Sequence, residues 1–542
     1  MSFNYWPWWK FHHDRQQDYN EHVSSRSSTL STAVLTFLFV VITISYYAWL
    51  INRLRRKHPV PLPPGPLALP LIGNLPFLDK DLHRCFAKLS KKYGPVMRLH
   101  LGTRLWIVLS SPSVAKEFLK DHDIIYATRD MLAVTQTGSY GRQDMVWAPY
   151  GNHWRMMRKL CVRELLSNAR LDALYGLRQR EVRSMVSRLY LNRGVPINVA
   201  EDVMLIMFNI VTSMLWGGTL EEGERARITM EFRQAMNKIV DILATPNVSD
   251  FFPALAKLDL QGIDRQVKKL ISWFDQLFEY IIQQRRKMVP GEGEVSGNEK
   301  ESSKDFLQVL LKIIDEANPK IPFNETHLKG LYLDMMGAGT ETSSSTVEWA
   351  MAELMKHPEK LKKTQQELDQ VVGTNNIVEE SHLPKLHYLN AVLKEVLRLH
   401  PVAPLLVPRH ASETCILGGY LVPEGAKVMV NAWAIQRDPE YWEEPLEFRP
   451  ERFLAPSSEW DYNGKDFRYI PFGSGRRICV GIPMAERMIP YLLGTLLHSF
   501  EWELPEGVIE VDLSDCFGLE LKKKVALVAI PKPRLSDPRL YD

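Results

Sequence analysis

The sequence has few cysteines, and they are scattered along the chain. Only five occur in 542 residues, at positions 85, 161, 415, 479 and 516. The number is odd and no two cysteines have the close spacing of a paired motif, which argues against both a disulfide framework and a zinc cluster. This pattern is typical of a protein that works in a reducing compartment.

Charge imbalance and internal repeats are also absent. The net charge is +3 and charged residues make up 24% of the chain, so the composition gives no indication of nucleic-acid binding. The apolar content of 45% is ordinary for a globular protein. The length alone would allow about three or four domains, but no repeat or boundary signal divides the chain.

One stretch lacks charge altogether. Residues 30–50 are predominantly apolar and carry no acidic or basic side chain. About twenty such residues span roughly 30 Å of hydrocarbon as a helix. A core helix of that length would have a polar face, and a cleaved signal peptide would be shorter and would begin nearer the start of the chain. The stretch therefore predicts a transmembrane anchor.

The residues on either side of this stretch predict its orientation. The charges of residues 1–29 nearly cancel, whereas four basic side chains follow the stretch: Arg53, Arg55, Arg56 and Lys57. The positive-inside rule then places the 1–29 tail in the lumen and the rest of the chain in the cytosol. Residues 51–66 are basic and then proline-rich, which predicts a stiff, extended hinge. The folded body is expected over 67–542.

A glycine-rich segment, 472–481, presents one of the cysteines. Its glycines permit a tight turn, and a helix predicted over 481–500 places its positive end beside Cys479, which is expected to lower the pKa of that thiol. Arg477 can reach a carboxylate of whatever the sulfur binds. A lone cysteine in such a turn is more often structural, but these neighbours suit a haem iron held by one thiolate.

Five residues of this segment match the cysteine-loop signature of the cytochrome P450 superfamily: Phe472, Gly475, Arg477, Cys479 and Gly481. On this match the chain resembles that family over essentially everything after residue 59, and it looks most like the plant microsomal type. The resemblance implies a mainly α fold with small β-sheets, preceded by the transmembrane helix. It also implies haem b as the cofactor, Cys479 as the iron ligand, and haem contacts from Phe472 and Arg477.

A long helix is predicted over 324–357, because apolar residues flank its centre and Pro358 ends it. Hydroxyl side chains cluster in that centre and can bond back to carbonyl groups one turn earlier, which predicts a local opening of the helix. A loop or a broken helix is the alternative. Residues 338–343 match the oxygen-activation motif of the family, so the resemblance assigns Thr342 as the alcohol that orders water and Glu341 as the acid that supplies protons.

Further motifs agree with the resemblance. Trp154 and Arg158 lie four residues apart on a predicted helix, where both can contact one haem propionate. Arg409 matches a further propionate partner by its position. A structural trio behind the cysteine loop is expected to consist of Glu395, Arg398 and Arg452.

Short strands are predicted over 96–101, 105–110 and 427–430, and a polar surface loop over 290–304. Pro490 falls inside the helix predicted after the cysteine, and its missing N–H group predicts a kink or a division into two helices.

The pair Glu341 and Thr342 favours a monooxygenase over an isomerase or dehydratase that uses the same iron, and a membrane-tethered haem sensor has no obvious use for it. The resemblance implies oxidation of a small apolar plant specialised metabolite with O2 and electrons from NADPH, delivered by NADPH-cytochrome P450 reductase at the endoplasmic reticulum membrane. The candidate pocket side chains suit a terpenoid or a flavonoid or other phenolic, and they do not choose between these classes: Phe208, Trp216, Phe251, Leu405, Leu406 and Phe517.

Overall fold

The structure is a computed structural model that describes residues 33–34, 36–48, 59–129, 132–217, 219–220, 222–288, 305–316, 322–454 and 460–542. The predicted tail 1–29, the basic residues 53–57 and the predicted loop 290–304 lie outside these ranges. The chain divides into two units, residues 1–59 and 60–542. In the first unit, helix α1 (Thr36–Ala48) exposes apolar side chains such as Phe37, Phe39 and Ile44.

The second unit is mainly helical. Its α-helices are α2 Leu82–Tyr93, α3 Pro112–Lys116, α4 Thr135–Gly138, α5 Asn152–Leu160, α6 Asn168–Ala173, α7 Tyr175–Leu191, α8 Val199–Trp216, α9 Glu222–Ala244, α10 Val248–Phe251, α11 Ile263–Lys287, α12 Phe306–Asp315, α13 Glu325–Lys356, α14 Pro358–Val371, α15 His387–Leu399, α16 Ala432–Ile435 and α17 Ile482–Ser499. Short 3-10 turns, including Pro450–Phe453 and Gly475–Arg477, connect several of them.

The strands form four small sheets. They are β1 Val96–Leu101, β2 Arg104–Leu109, β3 Ile197–Asn198, β4 Arg409–His410, β5 Cys415–Leu417, β6 Tyr420–Val422, β7 Lys427–Val430, β8 Phe500–Glu503, β9 Asp515–Phe517, β10 Leu521–Lys523 and β11 Val528–Pro533. The largest sheet has the order β1-β2-β7-β4, in which only β2 and β7 run parallel. The predicted strands at 96–101 and 427–430 are confirmed, and the one at 105–110 begins one residue earlier.

Helix α13 passes through the centre of the body, as the sequence predicts for residues 324–357. Asn324 caps its first turn by accepting a hydrogen bond from the His327 backbone, and the His327 ring accepts one from the Asn324 backbone in return. Pro358 begins the next helix, so α13 ends at Lys356. It packs against α8, α15 and α17. The predicted hydrogen bonds from hydroxyl side chains to carbonyl groups one turn earlier are present. The helix is nevertheless continuous, so the alternative of a loop or a broken helix is wrong.

Helix α8 is the one described helix that is long and apolar enough to cross a membrane, and 67% of its apolar window is buried in the protein. It is therefore a core helix. Trp216, at its end, packs among Phe232, Phe278 and Tyr332, so this candidate pocket residue belongs to the core. The described part of the predicted anchor, α1, is shorter, and the span over 30–50 stays a prediction.

Helix α17 corrects one expectation. It runs unbroken from Ile482 to Ser499 with Pro490 inside it, so a division into two helices is wrong. A proline removes only one backbone hydrogen bond. Every residue from Met488 to Ser499 is buried, and α17 packs against α13, α14 and α15. Burial of this apolar face outweighs the loss of that bond.

Candidate active site

The cysteine loop, residues 472–481, contains the turn Gly475–Arg477 and ends at the start of α17. Gly475 has a φ of +69°, and a side chain there would overlap with the carbonyl oxygen of Leu119, so this position requires glycine. The Cys479 backbone donates a hydrogen bond to Phe472 O at 3.1 Å, which closes the loop. The Gly481 N–H group donates to the Cys479 sulfur at 3.3 Å. The loop therefore holds the sulfur at the head of the helix.

The Cys479 side chain is exposed, although it lies deep in the protein. Burial raises the pKa of the Cys479 thiol, while the Gly481 and Ile482 N–H groups, Arg129 and Arg158 oppose the rise. The expectation of a lowered pKa is therefore wrong for the thiol alone, because desolvation exceeds the helix-end effect. A metal ion bound at the sulfur would reverse this balance, since a coordinating thiol loses its proton.

Four buried or half-buried arginines lie close enough to influence one another near this thiol: Arg129, Arg158, Arg409 and Arg477. Burial lowers the pKa of each. In Arg477, the neighbouring Arg129, Arg409 and Arg158 lower it further, to about 8. The Arg477 guanidinium is also centred 4.5 Å from the Trp154 ring, and that of Arg158 is 5.6 Å from the same ring.

The hydrogen-bond partners of these arginines are mostly neutral. Arg477 donates to the carbonyl oxygens of Ala127 at 2.6 Å and Met145 at 3.2 Å. Arg409 donates to Ser474 O at 3.1 Å, and its ion pair with Asp123 is long, at 3.5 Å. Asp123 is shared with Arg476. Burying like charges with so few counter-charges is costly. The cluster therefore suits a ligand that carries more than one carboxylate.

The donor set fits haem. Among the described residues, no group of three His, Cys, Asp or Glu side chains could hold a metal ion by itself, whereas one accessible thiol is what a haem iron requires from the protein. The cationic cluster would take the two propionates. The structure brings Trp154, Arg158, Arg409 and Arg477 together, as the sequence motifs predict. Phe472 packs edge-on against Tyr462 with ring centroids 5.3 Å apart, and its haem contact stays a prediction.

Arg129 is the member of this cluster that the sequence analysis missed. It forms an isolated antiparallel bridge with Arg409, and its guanidinium donates to Val146 O at 3.2 Å. A single arginine in a loop belongs to no motif, so only the folded structure places it here.

Asp144 and Asp334 form a second feature that the sequence did not indicate. Asp334, on α13, accepts hydrogen bonds from the Met145 backbone at 2.7 Å and the Val146 backbone at 3.1 Å. Burial raises the pKa of Asp334 to about 6, and burial together with Asp334 raises the pKa of Asp144. Because Arg477 binds the carbonyl of Met145, this carboxyl pair links α13 to the arginine cluster.

The centre of α13 carries the proposed proton-delivery pair. The Thr342 hydroxyl donates to Ala338 O at 2.6 Å, and the Thr346 hydroxyl donates to Thr342 O at 2.9 Å. Glu341 forms an ion pair with Lys522, on β10. The carboxyl group assigned to supply protons is therefore held by a lysine that no motif pointed to. The roles of Thr342 and Glu341 stay predictions.

The predicted trio behind the cysteine loop is present. Arg398 donates to both oxygens of Glu395, at 2.7 and 2.8 Å, and Arg452 donates to one of them at 3.1 Å. Arg398 also binds Gln436 O at 2.8 Å, and the Gln436 side chain accepts a hydrogen bond from the Ile470 backbone at 3.0 Å. This chain of bonds connects α15 to the segment that leads into the loop.

A model of the family described as Cytochrome P450 matches residues 63–527. A flavonoid 3'-monooxygenase of Crocosmia x crocosmiiflora is 41% identical over 93% of this chain and 99% of its own length. A flavonoid 3',5'-hydroxylase of Solanum melongena is 39% identical over 94% of this chain and 97% of its own length. A geraniol 8-hydroxylase of Catharanthus roseus is 38% identical, with coverage of 92% and 99%.

A solved structure of a zebra fish cytochrome P450 with progesterone superposes with a TM-score of 0.71 at 28% identity. It covers 83% of this chain and 99% of the zebra fish chain. The likeness therefore extends to the arrangement of the helices and sheets.

Proposed function

Because this chain belongs to the cytochrome P450 family and is a haem-dependent monooxygenase, we propose that it hydroxylates a small, mostly apolar plant metabolite of the flavonoid or terpenoid class. The observation that carries the proposal is the accessible Cys479 thiol beside the buried arginine cluster. The substrate classes are those named in the relatives, which include both flavonoid and geraniol hydroxylases.

Each part of the site has a proposed role. Cys479 would hold the iron as a thiolate, and Arg129, Arg158, Arg409 and Arg477 would bind the propionates with Trp154 beside them. When bound, haem supplies the iron that activates O2, so that one oxygen atom enters a C–H bond and the other leaves as water, with two electrons taken from NADPH.

That water requires two protons, and side chains of α13 would deliver them. The Thr342 hydroxyl, which now donates to Ala338 O, orders a water molecule when it turns away from that carbonyl. Glu341 supplies the proton once its ion pair with Lys522 opens. The electrons come from NADPH through NADPH-cytochrome P450 reductase.

We place the protein in the endoplasmic reticulum membrane as a single-pass protein with a cytosolic body. The apolar helix α1 and the basic residues that follow the 30–50 stretch support this orientation.

Spectroscopy of the purified haem protein and of Cys479→His tests the ligand assignment. The reduced carbon monoxide complex of the wild type is expected to absorb at the long wavelength typical of thiolate haems, and the variant is expected to lose that band. A variant that keeps the band would refute Cys479 as the ligand. Turnover with reductase and NADPH, on geraniol and on a set of flavonoids, then identifies the substrate class. Absence of NADPH-dependent product from both classes would overturn the substrate proposal.

A further inference from the structure

The residues around Trp442 form a cluster that is almost entirely aromatic. Apart from Ala391, its members are Tyr441, Trp442, Phe453, Trp460, Tyr462 and Tyr469. Aliphatic side chains would bury a similar apolar surface, so burial alone does not explain this composition. Five of the six rings are indoles or phenols, and these side chains, with thiols, give up an electron most readily. The cluster is therefore able to conduct electrons as well as to fill space.

Part of this cluster continues a row of rings from the cysteine loop towards the surface. The Phe472 ring of the loop lies 5.3 Å from that of Tyr462, measured between centroids. Tyr462 lies 6.3 Å from Tyr469, and Tyr469 lies 6.2 Å from Trp460. These separations are those of rings in direct contact. Tyr469 is buried and Trp460 is half-buried. We call Tyr462, Tyr469 and Trp460 the aromatic chain.

Trp442 lies beside the aromatic chain, but an electron deficit would not stay on it. Its ring is stacked on that of Trp460 with centroids 4.6 Å apart. The guanidinium groups of Arg398 and Arg452 lie 5.1 and 6.0 Å from the Trp442 ring, and they disfavour a further positive charge there. The Trp442 indole N–H group is buried without a partner among the described residues, so the oxidised ring could not release its proton.

Trp460 is the end of the chain at which oxidation can become permanent. The Tyr469 hydroxyl donates to Lys394 O at 3.0 Å, and a carbonyl oxygen is too weak a base to take up a phenol proton. Trp460 is half-buried, so water reaches its ring and can accept the indole proton. The Arg468 guanidinium, 4.6 Å from this ring, favours that proton loss, because it repels the positive charge of an oxidised indole.

We infer that the aromatic chain supplies electrons to the haem site when hydrogen peroxide reaches that site without a substrate, so that oxidation falls on Trp460 instead of the haem. The inference rests on the haem site of the proposed function. Two electrons and two protons break the O–O bond of one peroxide molecule and give two water molecules. Trp460 loses two electrons and two protons as a C–O bond forms between its ring and one water molecule. The net reaction converts the indole and hydrogen peroxide into a hydroxyindole and water.

The source of the oxygen atom in the hydroxyindole tests this inference. Direct attack by peroxide on an exposed ring adds an oxygen atom from the peroxide, whereas the aromatic chain leads to one from water. The holoenzyme is treated with hydrogen peroxide in water labelled with heavy oxygen, without substrate, reductase or O2, and its peptides are analysed by mass spectrometry. Trp460 is expected to carry the label. Trp273 is the internal control and should remain unlabelled, because it is also half-buried but packs against phenylalanines, which are not readily oxidised.

Tyr462→Phe keeps the ring that contacts Phe472 but removes the phenol. Labelled Trp460 is expected to fall severalfold in this variant, and the haem is expected to bleach severalfold faster in peroxide. Tyr441→Phe is the matched control, since Tyr441 packs in the same cluster but is not part of the aromatic chain, and it should behave as the wild type. If Tyr462→Phe binds too little haem, Tyr469→Phe replaces it and breaks the next link of the chain.

Four results would overturn the inference. They are a Trp460 that stays unmodified, a Trp460 whose added oxygen comes from the peroxide, an equal label at Trp460 and Trp273, and labelling that does not change in Tyr462→Phe or Tyr469→Phe. Failure of the proposed haem site gives a different result, since the untreated wild type would then lack the long-wavelength carbon monoxide band.

Discussion

Replacing Asp334 by asparagine is expected to stabilise the protein in a pH-dependent way. Asp334 lies inside the body on α13 and accepts two backbone hydrogen bonds, from Met145 and Val146. The charged or titratable groups that interact with it are Asp144, Arg129 and Cys161. Burial outweighs the hydrogen bonds and Arg129, so the pKa of Asp334 rises from its ordinary value of 3.8 to about 6.

The sign of the effect follows from proton binding. Below pH about 4 the carboxyl group is protonated in both the folded and the unfolded protein, and its raised pKa costs no stability. As the pH rises from about 4 to about 6, the unfolded chain ionises first, so the free energy of unfolding falls. Above pH about 6 the cost is complete, at most about 3 kcal/mol for a rise of roughly two pKa units. At pH about 5 roughly half of it is present.

Asp334→Asn removes this cost while keeping an oxygen that can accept both backbone hydrogen bonds. Its new N–H group can also donate to Asp144. Heat inactivation of the solubilised holoenzyme, followed through the carbon monoxide band, is expected to be slower than in the wild type by several-fold at pH about 7.5 and by less at pH about 5. The exposed Asp79→Asn is the control. An equal effect at both pH values, or a destabilised variant, would refute the reasoning.

Two further predictions concern proton delivery. Thr342→Ala should leave haem binding intact and cost about 1 kcal/mol of stability through the lost hydrogen bond to Ala338 O. The amount of product formed per NADPH should fall, while the release of hydrogen peroxide should rise. Thr342→Ser should restore the ratio of product to NADPH, and an unchanged ratio in the alanine variant would remove Thr342 from the mechanism. Lys522→Met should change the same ratio because Glu341 loses its ion pair, whereas Lys522→Arg should not. In a Glu341→Gln background the methionine substitution should have no further effect, and an additive effect would show that Lys522 acts elsewhere.

Local signals in the sequence were sufficient to predict the helices that carry the site. A capping residue, Asn324, and a terminating proline, Pro358, define α13 within one residue at each end. Closely spaced motif residues, such as Glu395 with Arg398, also form the predicted contacts. In these cases the residues that determine the structure are only a few positions apart, and helix geometry decides which of their side chains can make contact. Pro490 shows the limit of such rules, because tertiary packing of α17 overrides its local effect.

Contacts between distant segments could not be predicted where no family motif includes the residues. Lys522 and Glu341 are separated by 181 residues, and Arg129 joins Arg409 and Arg477 only because the fold brings three distant segments together. The prediction of a lowered pKa for Cys479 failed for a related reason. Sequence indicates the helix end that lowers it, but the larger effect is desolvation, which depends on every segment that surrounds the sulfur.

The buried charges of this protein divide into two kinds, and the difference indicates which of them serve a ligand. Glu395 has matched partners for both carboxylate oxygens, so its network is complete within the chain and holds the structure together. The arginines around Arg477 bond mainly to neutral carbonyl groups and have few carboxylate partners among the described residues. Because an uncompensated buried charge or polar group lowers stability, a fold that retains one gains something from it elsewhere. For the arginines, we propose that this gain is the binding of the anionic part of haem.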